Sequence, residues 1–277
     1  MDSLPNMEMP SLTGQHAVQE IVCADQQQLE AAHSLAERLQ LTVLSAEEDA
    51  QQTYCLRLAD NGLSLIRPHD KKMGDLYVDF CEGAVAWRRH HGGGNGQAIA
   101  KAIGLKTKKN LTVLDATAGT GTDSFILAAL GCHVTMIERH PIVAALLEDA
   151  LKRAQQHEDT QEVAARMSLL TGSSIDLMAG ALAASDSLFD VVYLDPMFPK
   201  AEKSKGPQVK KSMQFFRDMV GKDEDADALL APAMNLASYR VVVKRPRKSP
   251  FLNDQKPTLS HEGKANRFDI YVKQSMK

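Results

Sequence analysis

The chain has 277 residues, 44% hydrophobic and 24% charged, and its 32 Lys and Arg nearly balance 35 Asp and Glu, for a formal net charge of −3. That composition excludes disordered and collagen-like architectures, and no apolar run approaches the roughly 20 residues that a membrane span needs. The four cysteines, Cys23, Cys55, Cys81 and Cys132, form no Cys-x-x-Cys pair and have no histidine at metal-ligand spacing. A reducing compartment and no metal site are therefore expected. Residues 1–14 lack the basic start and apolar stretch of a signal peptide, so the expected location is cytoplasmic.

In chain order, residues 16–79 read as a small α+β unit. A strand is expected at 18–24 and an amphipathic helix at 26–39. Strands at 54–58 and 63–67 flank Asp60-Asn61-Gly62, a hairpin-type turn signal. A basic, glycine-rich connector follows, Arg88-Arg89-His90-His91-Gly92-Gly93-Gly94-Asn95-Gly96, leading into a helix at 97–103. Beyond residue 111 short apolar strands alternate with helices, the pattern of a mostly parallel α/β sheet. Strands are expected at 111–116, 133–138, 167–171, 190–195, 239–244 and 268–272, with helices at 123–130, 141–156 and 223–236. The expected division is a small N-terminal α+β domain (1–79), a connector and helix (80–110) and an α/β domain (111–277).

Asp115-Ala116-Thr117-Ala118-Gly119-Thr120-Gly121 falls where a buried strand turns into a helix, and glycines there let a ligand approach the backbone closely. As a dinucleotide fingerprint, Gly-x-Gly-x-x-Gly, it is incomplete, because Ser124 stands at the third glycine position. It is closer to the acid-x-Gly-x-Gly-x-Gly loop of class I S-adenosylmethionine-dependent methyltransferases, with Asp115 as the acid and Thr117 in place of the first glycine. Glu138 closes the next strand, where a carboxylate can accept both hydroxyl protons of a ribose or simply mark the helix start before Pro141. Asp123 can cap the following helix or bind a cationic amine. Ser173 and Ser174 can contact the adenine side of a cofactor or merely end the third strand.

The segment 190–199 ends in Asp195-Pro196-Met197-Phe198, an acid, a proline and an aromatic at the carboxyl end of a buried strand, where open α/β sheets place ligands. It resembles the Asp/Asn-Pro-Pro-Tyr/Phe motif of enzymes that methylate exocyclic or amide nitrogens. Such a nitrogen is a poor nucleophile because its lone pair is delocalised. The Asp195 carboxylate and Pro196 carbonyl can accept its N–H protons and orient the lone pair, while Phe198 can stack on the base. Tyr193, inside the strand, reads as core.

Positive charge is concentrated in three segments: Lys101, Lys106, Lys108 and Lys109; Lys200, Lys203, Lys205, Lys210 and Lys211; and Arg240, Lys244, Arg245, Arg247 and Lys248. The second and third follow strands at the motif end of the sheet and are expected to rim the site. The first, with Arg88 and Arg89, can add to that face. Clustered charge on an otherwise acidic chain favours a phosphate-rich partner over a free small molecule.

Taken together, Val78-Asp79-Phe80, Arg88-Arg89 with Gly92-Gly93-Gly94, 115–119, Glu138-Arg139, 191–199, 241–246 and Arg267-Phe268-Asp269-Ile270-Tyr271 resemble the ribosomal RNA small subunit methyltransferase J family over residues 74–272. The resemblance implies a class I S-adenosylmethionine-dependent fold, no metal, and methylation of a guanine amino nitrogen in 16S rRNA, naked or within the 30S subunit. It also implies cofactor contacts at Thr122, Asp123, Glu138, Arg139, Ser173, Ser174 and Asp195, joined by Asp115, Gly119 and Gly121 of the loop, with Asp195, Pro196 and Phe198 at the acceptor. The family usually has Arg where this chain has Thr122. Another nucleic acid or a protein amide as acceptor, a nicotinamide-dependent oxidoreductase, and a non-catalytic RNA-binding module are the alternatives.

Overall fold

The computed structural model describes residues 18–70, 74–82, 96–184, 188–197, 225–263 and 266–276. Two compact units emerge, one containing the described residues up to Val78 together with His140–Ala150, the other the remainder.

The first unit is built on a five-stranded mixed sheet of β1 (Glu20–Cys23), β2 (Thr42–Leu44), β3 (Cys55–Ala59), β4 (Gly62–Ile66) and β5 (Leu76–Tyr77), in the order β2-β1-β3-β4-β5. β1 is buried along its whole length because it is flanked by parallel partners on both sides. Helix α1 (Leu29–Leu39) buries Ala32, Ala36 and Leu39, one stripe at four- and three-residue spacing, and ends where Gln40 turns left-handed at φ 57°. β3 and β4 form the expected hairpin, with Ala59 paired to Gly62 across Asp60-Asn61. β2 and β5 escape the sequence pattern because three and two residues are too few for alternation to show. The first part of a long helix also belongs here: Leu63 N–H donates to Asp149 and Arg38 pairs with Glu148.

The second unit carries a seven-stranded sheet. Its strands are β6 (Thr112–Asp115), β7 (His133–Glu138), β8 (Met167–Thr171), β9 (Phe189–Leu194), β10 (Ala237–Pro246), β11 (Leu259–Glu262) and β12 (Asn266–Val272), ordered β11-β12-β10-β9-β6-β7-β8. All neighbours are parallel except the pairs made by β12, which runs against both β10 and β11. The helices that follow α1 among the described residues are α2 (Ala98–Ile103), α3 (Thr122–Ala129), α4 (Pro141–Gln156), whose residues up to Ala150 belong to the first unit, α5 (Gln161–Ala164), α6 (Ser174–Ala179), α7 (Ala181–Ala184) and α8 (Leu230–Leu236). α5, α6 and α7, of four to six residues, lie below the length that periodicity detects. α8 is shorter than expected, since a 3-10 turn, Ala226–Leu229, precedes it. β11, an edge strand with all four residues exposed, likewise has no signature in the sequence pattern.

Register decides which side chains share a face. Leu114, Val192 and Val241 align across β6, β9 and β10, as do Leu194 and Val243 one layer on. These residues pack with Leu177 and Met178 of α6 and with Leu230, Ala233 and Leu236 of α8 in one apolar cluster. By the two-residue alternation of strands, Asp115, Tyr193, Asp195 and Lys244 point to the opposite face, the side on which α3 lies. From β6 the chain moves outward to β7 and β8, then returns to place β9 on the other side of β6. The reversal creates a crevice at the carboxyl ends of β6 and β9, where 115–121 and 195–197 are found. No helix among the described residues is long and apolar enough to cross a membrane.

Candidate active site

Two loops distant in sequence meet at that crevice. The turn after β6 is held from below by Asp115, which is 2% exposed. Its carboxyl group accepts hydrogen bonds from Ser124 Oγ at 2.5 Å and Thr117 N–H at 3.1 Å. Burial, with the Asp123 and Asp195 charges adding to it, pushes Asp115 up to about 7 against those two hydrogen bonds. Asp115 thus ties the strand end to the first turn of α3 and shapes the loop from underneath. Gly119 and Gly121 adopt φ 55° and 69°, the left-handed region where a side chain is costly, and Gly121 is the residue before α3.

Glu138, buried at the end of β7, accepts the Gly119 N–H at 2.9 Å. It therefore fixes the middle of the turn and places a carboxylate beside it. Thr120 and Thr122 hydroxyls are 3.1 Å apart. Thr117 fills the place of a first glycine and has a task for its side chain: its hydroxyl accepts the Asp195 N–H at 2.6 Å. That bond joins the two loops directly.

On the acceptor side, Asp195 is partly open, with 38% of its side chain exposed, and Pro196 is buried. Phe198 lies outside the described residues. Asp123 does not cap α3, whose N-terminus has no side-chain cap. It receives the Tyr193 hydroxyl at 2.8 Å and the Lys244 ammonium at 2.7 Å. Lys244 donates equally to Asp195, also at 2.7 Å. Burial alone would lower Lys244, but the Asp195 and Asp123 carboxylates overcome it and hold its proton firmly. Tyr193 is fully buried, with Asp123, Asp195 and Asp115 around it, and stays protonated well above its usual range.

The remaining expected residues lie along the rim of β7 and β8. Arg139 faces Asp225, whose two oxygens each lie 3.0 Å from the guanidinium. Ser173 caps α6 by accepting the Asp176 N–H at 3.3 Å, and Ser174 Oγ donates to the Ala116 carbonyl at 2.6 Å. Both serines thus do structural work at the carboxyl end of the sheet, Ser174 on the Asp115 loop itself.

The basic segments divide differently from the sequence expectation. Of the third, Lys244 is spent on two carboxylates, Arg245 is buried, and Arg240 donates to the Ala102 carbonyl. Only Arg247, ion-paired to Glu262, and Lys248 are exposed. Arg240, Lys244 and Arg245 lie within β10, an interior strand of the sheet, whereas Arg247 and Lys248 lie beyond its end. Lys108 pairs with Asp190, which also accepts the Thr112 N–H. That pair sits at the amino ends of β6 and β9, so Lys106, Lys108 and Lys109 belong to the end of the sheet away from the crevice. Residues 200–211 and 88–89 lie outside the described residues. Sequence reasoning missed the role of Lys244, counting it only as one of five rim charges.

A family model described as "Putative SAM-dependent methyltransferase" matches residues 34–273. Ribosomal RNA small subunit methyltransferase J of Shewanella piezotolerans is 53% identical over 251 residues, covering 90% of this chain and 90% of that protein. Its counterpart in Ectopseudomonas mendocina is 49% identical over 248 residues, covering 90% and 94%. A crystal structure of a SAM-dependent methyltransferase from Neisseria gonorrhoeae superposes with a TM-score of 0.73 at 37% identity, covering 92% of this chain and 96% of that one. The order of strands, the two loops at the reversal point and this degree of identity over nearly the whole length agree: the chain belongs to the ribosomal RNA small subunit methyltransferase J family, with its α/β SAM-dependent methyltransferase fold.

Proposed function

We propose that this protein transfers a methyl group from S-adenosylmethionine to the exocyclic amino nitrogen of a guanosine in small-subunit (16S) ribosomal RNA, in the cytoplasm. The observation that carries the reading is the 2.6 Å bond from Asp195 N–H to Thr117 Oγ1, which joins the glycine turn to the Asp-Pro motif. Relatives about half identical to the chain bear the name of that rRNA activity.

The residues present fit the cofactor. Gly119 and Gly121 leave a turn without side chains, Glu138 places a carboxylate beside it for ribose hydroxyls, and Asp123 and Asp195 supply negative charge for a cationic amine and sulfonium. When bound, S-adenosylmethionine supplies an activated methyl on a good leaving group. The chain must then position and desolvate the acceptor. The Asp195 carboxylate and the Pro196 carbonyl accept the amino N–H protons, which draws the nitrogen toward a tetrahedral geometry and localises its lone pair for attack. The same carboxylate stabilises the positive charge that grows on nitrogen as the new bond forms and the bond to sulfur breaks, and the surplus nitrogen proton then leaves by way of that carboxylate to solvent. Phe198 stacks on the base, and the neighbouring segment 200–211 supplies phosphate contacts.

The decisive experiment is transfer of labelled methyl groups to 30S subunits and naked 16S rRNA from cells lacking the protein, followed by nucleoside mass spectrometry. The expected product is N2-methylguanosine, and Asp195→Ala is expected to lower turnover at least ~100-fold while the fold persists. A different labelled nucleoside, or unchanged turnover in that variant, overturns the reading.

A further inference from the structure

Three acids from different elements crowd one face of the sheet: Asp115 from β6, Asp123 from α3 and Asp195 following β9. The phenol of Tyr193, on β9, faces the same group, and Glu138, at the end of β7, reaches the adjoining turn through Gly119. On β12 the residue paired with Lys244 is Phe268, which carries no charge. Into this cluster β10 delivers the ammonium of Lys244, 2.7 Å from Asp123 Oδ2 and 2.7 Å from Asp195 Oδ2. Two oxygens held by one nitrogen lie no farther apart than twice that distance, so the bridge sets the spacing between the two sides of the crevice.

We propose that Lys244 is a positioning residue for methyl transfer, a counter-ion that keeps the acceptor-side Asp195 ionised and in register with the donor-side Asp123. The inference rests on the methyl-transfer reading above and deepens it.

Asp195 can accept amino N–H protons only as a carboxylate, because a protonated acid presents a donor where an acceptor is needed. Like charges in a half-buried pocket favour protonation of one partner. Lys244 opposes that tendency for two of the three acids at once. An ammonium suits the task because it is a compact charge whose hydrogens splay toward separate acceptors, unlike the planar fork of arginine. Its place follows from register: Val243 pairs with Leu194, so Lys244 stands beside Asp195 on the same face.

The test is the pH dependence of kcat/KM for rRNA in wild type, Lys244→Met, Lys244→Gln and Lys244→Arg, with S-adenosylmethionine affinity and melting temperature measured alongside. Loss of the positive charge raises the pKa of the neighbouring carboxylate, so the acid limb of the Lys244→Met profile is expected to move upward by about 1–2 on the pH scale. Turnover at neutral pH is expected to fall ~10-fold or more and to recover partly as pH rises. Lys244→Arg keeps the charge and is expected to retain the wild-type acid limb at reduced kcat. A merely structural ion pair would lower activity by the same factor at every pH, and a Lys244→Met profile parallel to wild type overturns the proposal. Should Lys244→Met not fold, Lys244→Gln reads the same displacement, and a Lys244→Arg acid limb displaced upward overturns the proposal independently. Absence of transfer by the wild type would remove the methyl-transfer reading and this inference with it, whereas transfer with parallel profiles removes this inference alone.

Discussion

Asp115, 2% exposed, sits in surroundings far from those of an ordinary carboxylate in water. Its pKa, raised to about 7 chiefly by burial, makes a signed prediction. A folded-state value above the unfolded one means that the contribution to stability is full below about pH 4 and is lost as pH rises through 7. Asp115→Asn keeps an oxygen for the Thr117 N–H, turns an amide donor toward the Ser124 hydroxyl as a protonated acid would, and cannot ionise. Its stability relative to wild type should therefore rise between about pH 4 and 7, by at most about 4 kcal/mol, the free energy that separates an ordinary carboxylate from one titrating near neutrality. Melting curves that stay parallel across that range would contradict the assignment. Thr117 allows a second single-atom test. Thr117→Val preserves shape but leaves the Asp195 N–H without its acceptor, at a cost of about 1–3 kcal/mol. Turnover should fall by about tenfold while cofactor affinity, measured by calorimetry, changes little.

At the scale of elements, the start of α3 and the strand β12 carry the clearest consequences. Gly121 precedes α3 at φ 69°, where an alanine costs roughly 1–2 kcal/mol. Relief of that strain would move the turn that is proposed to meet the cofactor. Gly121→Ala should accordingly weaken S-adenosylmethionine binding more than it lowers the melting temperature, and an unchanged dissociation constant would argue against a cofactor role for the turn. In β12, Arg267 and Asp269 stand two residues apart on one face, both buried, joined by three hydrogen bonds of 2.8, 3.0 and 3.0 Å. The guanidinium also donates to the Arg247 carbonyl and lies 4.7 Å from the Phe251 ring centroid. Removing only the cation, as in Arg267→Met, takes the ion-pair partner from a buried carboxylate that keeps the Ser260 hydroxyl and the attraction of Arg245, and a loss of about 3 kcal/mol, the lower end for breaking such a pair, is expected on denaturant titration. These two residues are visible in sequence only as part of a family resemblance; their physical task is to anchor the chain that follows β10.

For the whole molecule, the distribution of positive charge divides the basic segments by task. Lys106 and Lys109 are exposed at the amino ends of the strands, away from the crevice, so Lys106→Gln with Lys109→Gln should leave rRNA affinity and its salt dependence unchanged. Neutralising Lys203 and Lys205, which follow the Asp195 motif in the chain, should flatten the slope of log affinity against log salt by roughly 0.7–0.9 per lost phosphate contact. Equal effects from both pairs would refute this division. Much of the fold is legible in the chain itself. Short β-rich runs between helices, the Gly119 to Gly121 turn and Asp195-Pro196 announce an open α/β sheet with a ligand crevice, because alternation and turn chemistry are local properties of the chain. The short strands β2, β5 and β11 stay hidden, since a few residues make no period. What the sequence could not decide is which face each β10 side chain meets. Lys244 reads as one more solvated charge, and only the pairing of Val243 with Leu194 turns it toward Asp123 and Asp195. A strand's own alternation says that neighbours point opposite ways, but the sheet register, set by packing between distant segments, says what they point at.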